Sequence, residues 1–387
     1  MSADLLASST FPAVLDPVLS AEFGVDTPIL QDSAGATNFG EVASNDSTAV
    51  IAWGDNRDGD YEIWFSRAKE GGELLDVGGI QLTDNSVADT VPRVAVAESR
   101  ALVVWLHAGT STELHGALID LGDGSVIRSG LLTTTDANTE LGVASDGTNF
   151  LVAAKSMRVW RVSGTTGLLD SSPVTIVPSG HSAQSDIQFA DGRYYVAATS
   201  RLLDGSDDVF LIRIRDDGTG DPVVESETTV FADTVEKAFR PRLAVGESTL
   251  LASWMYYVSG QPDRAFVAQR LRFDGTLVGE RITLADMTGT GIADTAEAVG
   301  VGNDGYLVTW PGAPVPVYPM HRIWMATVDS AGVLSASTDL GVDTNGCVAP
   351  SLARIGSEYV SVYKCMSSGN ELLLQPVDSA GTELTVD

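Results

Sequence analysis

Four acids and two glycines lie between two tryptophans in Trp53-Gly54-Asp55-Asn56-Arg57-Asp58-Gly59-Asp60-Tyr61-Glu62-Ile63-Trp64. Side-chain oxygens folded round a glycine are what calcium takes, six to eight at a time. Asn56, Asp58 and Glu62 are spaced as three such donors. Arg57 within the same loop opposes a cation. The plainer reading is an Asp/Asn/Gly turn bonded to its own backbone. No cofactor is expected, and calcium on Asn56, Asp58 and Glu62 is the alternative.

Histidine is scarce, at His107, His115, His181 and His321. No H-x-H or H-E-x-x-H spacing among them supports a metal. An Ala-Asp-Thr triplet recurs at 88–90, 232–234 and 293–295. Asp and Thr bond readily to loop backbone, so three copies point to a structural clasp. The chain has no G-x-S-x-G elbow, no Walker loop and no dinucleotide glycine pattern after a strand. Paired carboxylates for glycoside hydrolysis stay open, because 52 acids offer many candidates.

The elements that position these residues are short. Helical periodicity is absent, and brief runs of Val, Ile, Leu and Trp alternate with Gly, Asp, Asn, Ser and Thr, an all-β pattern. One strand type recurs with a terminal aromatic in Ala49-Val50-Ile51-Ala52-Trp53, Ala101-Leu102-Val103-Val104-Trp105, Leu250-Leu251-Ala252-Ser253-Trp254 and Tyr306-Leu307-Val308-Thr309-Trp310. Weaker copies end at Ala154, Ala198 and Tyr363. Counting gives seven units, near 37–82, 88–135, 137–178, 180–231, 233–285, 291–339 and 343–387. Four strands in forty to fifty residues make a β-propeller blade, and blades stack because one small sheet cannot bury both faces. Repeated tryptophans then read as packing between blades.

The expected fold is a single seven-bladed all-β propeller over 27–387, after an N-terminal extension, 1–26. Unit 7 lacks the last half-strand seen in Ile282-Thr283-Leu284-Ala285-Asp286, and Pro28-Ile29-Leu30-Gln31-Asp32 resembles that half. Residues 27–32 are therefore expected to close the ring and remove an exposed edge. Cys347 opens the first strand of unit 7 and Cys365 closes the second. With a hairpin turn near 355–357, paired numbers sum to about 712, as these two do, so they should oppose each other and form a disulfide. An oxidising compartment follows.

The run from Trp53 to Arg67 resembles the "W-x-D-x-R-x-G-x-x-D-I-Y-x-x-R" blades of secreted bacterial repeat propellers. Asp146-Gly147-Thr148-Asn149-Phe150-Leu151-Val152 is similar to their "D-G-T-N-Y-L-V-V-W" hairpin. The resemblance covers units 1, 2, 3 and 5 best. It implies the fold and an extracellular, periplasmic or outer-surface location, and no reaction. Against the calcium loop of FG-GAP-type repeats, "D-x-[DN]-x-D-G-x-x-D", the first ligand position is Gly54 and Asp55 comes one place late. The S-x-D-x-G-x-T-W box of sialidase-like propellers is missing.

A net charge of −29 disfavours nucleic acid and anionic lipid. No apolar run reaches the roughly 18 residues of a membrane helix, and the N-terminus as written has no signal-peptide pattern. In a propeller the loops joining second to third strands share a face with the connections between blades. Arg57, Asp58, Arg93, His107, His181, Arg240 and His321 are thus candidate ligand-binding residues of one loop-rich face. The expected function is a secreted or cell-surface binding scaffold, a monomer recognising a protein or glycan there. The alternative is a polysaccharide hydrolase or lyase in the axial pocket of that face.

Overall fold

The computed structural model describes residues 37–109, 111–134, 141–154, 158–176, 185–201, 207–233, 235–258, 264–287, 295–312, 322–340, 346–365 and 371–384. Blade 1 is Thr37–Ser44, Ala49–Asp55, Glu62–Ala68 and Ile80–Gln81. Blade 2 is Asp89–Val96, Arg100–Ala108, Thr112–Asp120 and Val126–Thr134. Blade 3 is Gly142–Ser145, Phe150–Ala154, Arg158–Val162 and Val174–Thr175. Blade 4 is Ser185–Ala190, Arg193–Arg201, Asp207–Arg215 and Val223–Phe231. Blade 5 is Glu236–Val245, Thr249–Val258, Arg264–Arg272 and Leu277–Asp286. Blade 6 is Glu297–Val301, Gly305–Gly312, Arg322–Val328 and Thr338–Asp339. Blade 7 is Cys347–Ile355, Glu358–Cys365 and Glu371–Val377.

Each sheet is an antiparallel meander in chain order. The first strands are innermost and touch in cyclic order, the seventh against the first, so the fold is a seven-bladed β-propeller. Residues 27–32, expected as the closing strand, lie outside the described residues.

The second strands carry the core. Ala49–Asp55 and Phe150–Ala154 are buried at every position, because blades cover both faces of each strand. That is why they read as continuous apolar runs rather than alternating ones. A separate hydrophobic cluster fills each of the seven seams between blades. The repeated tryptophans lean on the preceding blade: Trp53 packs with Val360 and Leu372 of blade 7, and Trp105 with Ala52 and Phe65 of blade 1. Truncating such a side chain to Ala typically costs about 3–5 kcal/mol. Cys347 and Cys365 are directly opposed and disulfide-bonded, with Cα atoms 4.0 Å apart.

One irregularity repeats on the inner strands and positions the site. The pairing register slips between Thr90 and Arg93, between Phe239 and Arg242, and between Val348 and Ser351. Each slip holds a left-handed residue before a proline: Val91 at φ 55°, Arg240 at φ 48° and Ala349 at φ 54°. Positive φ is an outlier for a β-branched residue such as Val91. Proline donates no ladder hydrogen bond and so suits a bulge. A bulge re-aims the side chain that follows it, here Arg93, Arg242 and Ser351.

Candidate functional site

Those bulges belong to a register position that every inner strand shares. The residue paired with the one just before the terminal position of the second-strand motif is Glu41, Arg93, Gly142, Asp186, Arg242, Glu297 or Ser351, blade by blade. Five of the seven are ionisable, and they form a ring about the axis. Arg93 Nη1 lies 2.9 Å from Glu41 Oε2 across the seam of blades 1 and 2. Arg93 Nε also donates to the carbonyl of Leu141 in blade 3, at 3.1 Å. Arg242 Nε lies 2.5 Å from Glu297 Oε1 across blades 5 and 6. Asp186 accepts the backbone N–H of Leu243 in blade 5 at 2.8 Å, and Ser351 Oγ accepts that of Val42 in blade 1 at 3.1 Å. The ring therefore stitches blades together as well as lining the axis.

The electrostatics follow from position. Burial raises the carboxyl of Glu41, though Arg93 and Arg242 oppose it. Burial likewise raises Asp186 against the pull of Arg242. Glu297 is pushed up to about 7 by burial, with Arg242 opposing. Burial works against the charge of Arg242, but Glu297, Asp186 and Glu41 outweigh it and its pKa is raised. The four paired side chains keep between 15% and 26% exposure, so the axis remains open to them.

A second constellation occupies the loop face of blades 1 and 2. Three carboxylates, Asp55, Glu62 and Asp89, are almost fully buried there. Buried charges persist only when partnered, and each of these is. Asp55 accepts the backbone N–H of Arg57 at 2.8 Å and its guanidinium Nε at 2.8 Å. The Arg57 guanidinium in turn lies over the Trp64 ring, 4.1 Å from its centroid. Glu62 accepts the N–H of Asn85 at 2.9 Å, and the Asn85 side chain donates to Asp89 at 2.7 Å. Asp89 also accepts Trp105 Nε1 at 3.0 Å and pairs with His107 Nδ1 at 2.8 Å. The His107 ring stacks on His115 at 4.7 Å, and His115 pairs with Glu113 at 3.0 Å. The indole N–H of half-buried Trp64 finds no acceptor among the described residues.

The structure brings some expected site residues together and separates others. Arg57 and His107 stand in two neighbouring clusters, Asp55–Arg57–Trp64 and Glu62–Asn85–Asp89–His107–His115, which meet where Asp55 and Glu62 pair across adjacent strands. Asp58 is exposed in the same loop. The Asn56 carbonyl accepts the Gly59 N–H at 3.0 Å, closing the turn, while Glu62 is committed to Asn85. Among the described residues no group of three or more His, Cys, Asp and Glu is arranged to hold a metal ion. Arg93 stands in the axial ring and not in a loop, because its bulge turns it inward. Arg240 occupies the bulge before Arg242. His181 and His321 lie outside the described residues. In the repeated Ala-Asp-Thr, Asp89 ties the network, and Asp233 caps the N–H groups of Val235 and Glu236 at 2.6 and 2.9 Å.

Glu41, Asp186 and Glu297 were not singled out from sequence. Aligning the seven first strands by hairpin register would have exposed their column.

No family model matches the sequence, and no curated protein matches it. Solved structures do. The chain superposes on a subtype N10 neuraminidase-like protein of A/little yellow-shouldered bat with a TM-score of 0.51 and 8% identity, over 78% of this chain and 95% of that one. The β-propeller domain of the Trilobed protease from Pyrococcus furiosus gives 0.51 at 10%, covering 90% and 98%. A mutant Trypanosoma rangeli sialidase displaying trans-sialidase activity gives 0.50 at 11%, over 90% of this chain and 56% of that one. At such identities the likeness establishes the propeller fold alone.

Proposed function

We propose that this propeller is a secreted or cell-surface binding protein that recognises a glycan on the loop face of blades 1 and 2. The observation that carries the reading is that three buried carboxylates, Asp55, Glu62 and Asp89, sit in two neighbouring clusters that also hold the half-buried rings of Trp64, beside Arg57, and of His107 and His115. Aromatic faces pack against the apolar side of a sugar, and fixed charged groups bond its hydroxyls. The carboxylates hold Arg57, His107 and Asn85 in place before any ligand arrives, which lowers the ordering cost of binding. The disulfide suits an oxidising compartment, and no helix among the described residues is long and apolar enough to cross a membrane. Neuraminidase-like and sialidase structures share the fold, but the glycan reading rests on the rings and carboxylates. Screening the protein against immobilised glycans, beside a Trp64→Ala/His107→Ala double variant, tests it. Retention that the double variant loses is expected. Retention of no sugar, or equal retention by both, overturns the reading.

A second reading draws on Glu297. A carboxyl near 7 beside two further acids is poised to donate a proton at neutral pH, as a polysaccharide hydrolase working at the axis requires. Release of reducing ends by the wild type and not by Glu297→Gln would support it.

A further inference from the structure

A cavity of about 300 Å³ opens at the other mouth of the axis, where turns join first to second strands. The ends of the inner strands of blades 1, 5, 6 and 7 supply most of its wall, and the ionisable ring takes no part in it. Val42, Leu243, Val299 and Leu352 make the apolar portion, and Asp46, Gln188 and Arg354 bring polar side chains. These three are unengaged. The Arg354 guanidinium donates through Nε to the carbonyl of Gly356 at 3.0 Å, and among the described residues no acid pairs with it. Neither the Asp46 carboxylate nor the Gln188 amide has a partner among those residues, and Asp46 and Arg354 do not pair with each other. Their supports, by contrast, are fixed. Asn45 donates to the carbonyls of Ala97 and Glu98 at 3.1 Å each and accepts the N–H groups of Ser47 and Thr48 at 2.9 Å, which holds the turn that carries Asp46. Ser44 Oγ donates to the carbonyl of Arg354, tying that strand end to blade 1.

We infer that this cavity binds a free α-amino acid with an apolar side chain, its carboxylate on Arg354, its ammonium on Asp46 and its side chain against the apolar wall. The class follows from one guanidinium and one carboxylate in the same wall, each lacking a counter-charge. A simple carboxylate would answer Arg354 and be repelled by Asp46, and a simple amine would do the reverse, whereas a zwitterion answers both. With Nε of Arg354 engaged by Gly356, its two Nη atoms are left for the two oxygens of a carboxylate. The Gln188 amide adds a donor and an acceptor. A zwitterion carries no net charge, so the −29 of the whole chain does not oppose its entry. The volume stands at the lower end of small-molecule sites, as one amino acid requires. Asp46 and Arg354 rise from backbone already held in place, which lowers the ordering cost of binding.

Isothermal titration of the full chain with L-leucine and L-phenylalanine tests the inference. Each is compared with its two single-charge analogues, 4-methylpentanoate and 3-methylbutylammonium for the first, 3-phenylpropanoate and 2-phenylethylammonium for the second. Saturable binding of at least one amino acid is expected, at least about tenfold tighter than either of its analogues. Arg354→Gln and Asp46→Asn each remove one charge at an exposed position and should weaken that amino acid about tenfold or more. Melting temperatures confirm that both variants are folded. Should either fail to fold, the wild-type comparison of amino acid and analogues decides alone. The absence of saturable binding of both amino acids up to about 10 mM overturns the inference. So does an analogue that binds as tightly as its amino acid, or an unchanged affinity in folded Arg354→Gln or Asp46→Asn.

Discussion

Arg242 of blade 5 reaches Glu297 of blade 6 at 2.5 Å, although 55 residues separate them and each comes from the innermost strand of its own sheet. The pair holds a seam and sets the charge of the axis at once. Its energetics are those of a buried ion pair, in which desolvation offsets much of the attraction.

The first prediction concerns pH. Arg242, Asp186 and Glu41 all act on Glu297, and burial dominates, holding its carboxyl near 7 against an ordinary 4.5. Between those values the folded protein binds more protons at this site than the unfolded chain. That contribution to stability is present below about 4.5 and is lost as pH rises towards 7. Glu297→Gln keeps an acceptor for Arg242 and does not ionise. The melting temperature of Glu297→Gln relative to wild type should therefore be more favourable at pH 8 than at pH 5. A difference of the opposite sign would contradict the assigned burial.

Asp89 should matter more than its repeat counterpart Asp233. Asp89→Ala leaves Trp105 Nε1, the Asn85 amide and His107 without their buried acceptor, a loss of about 2–4 kcal/mol. Asp233→Ala removes a cap from two backbone groups nearer the surface, a loss of about 1 kcal/mol. Denaturant unfolding of both variants compares them directly. Equal losses would mean that the loop-face network is not held by Asp89.

Much of this architecture was legible in the chain. Periodic Trp53, Trp105, Trp254 and Trp310 announced the blades, because stacked sheets bury the same strand in every copy. Cys347 and Cys365 were found by counting across a hairpin, since antiparallel register is local. The sequence places Arg93 with the loop-face residues and does not mark Glu41, Asp186 or Glu297, for a different reason. The ring is created by closure of seven sheets about an axis, and each member looks ordinary within its own strand. The bulge signal, a residue before proline in Val91-Pro92, Arg240-Pro241 and Ala349-Pro350, is visible in sequence, but its inward aim is a tertiary fact. Likewise, Asn85 links Glu62 to Asp89 only because the connection from blade 1 to blade 2 folds back over the loop face.

The disulfide closes a loop with a sequence separation of 18. Cross-links of that span stabilise by about 3 kcal/mol through the unfolded chain. Cys347→Ser/Cys365→Ser should lower the urea midpoint accordingly, with little change in slope. Intact mass before and after reduction and alkylation should show one bond and no free thiol in the wild type.

Ring closure makes a prediction from spacing. Leu82 precedes Asp89, the first residue of blade 2, by seven positions, and Leu340 precedes Cys347 of blade 7 by seven. Both leucines donate their N–H to a third-strand carbonyl, Ile63 and Ile323 respectively. Leu30 precedes Thr37 by the same seven, which makes it the residue expected to serve Leu372 of blade 7. Deleting residues 1–33 should lower the melting temperature sharply, and Leu30→Asp should reproduce much of the loss. An unchanged melt in both would remove that closure.

The glycan reading is tested most directly by titrating one retained oligosaccharide into Trp64→Ala and Glu297→Gln side by side. Loss of the ring at the loop face should raise Kd about tenfold or more, while the axial change should leave it within about twofold. The reverse pattern, with Glu297→Gln abolishing binding and Trp64→Ala sparing it, would contradict a loop-face site and move recognition to the axis.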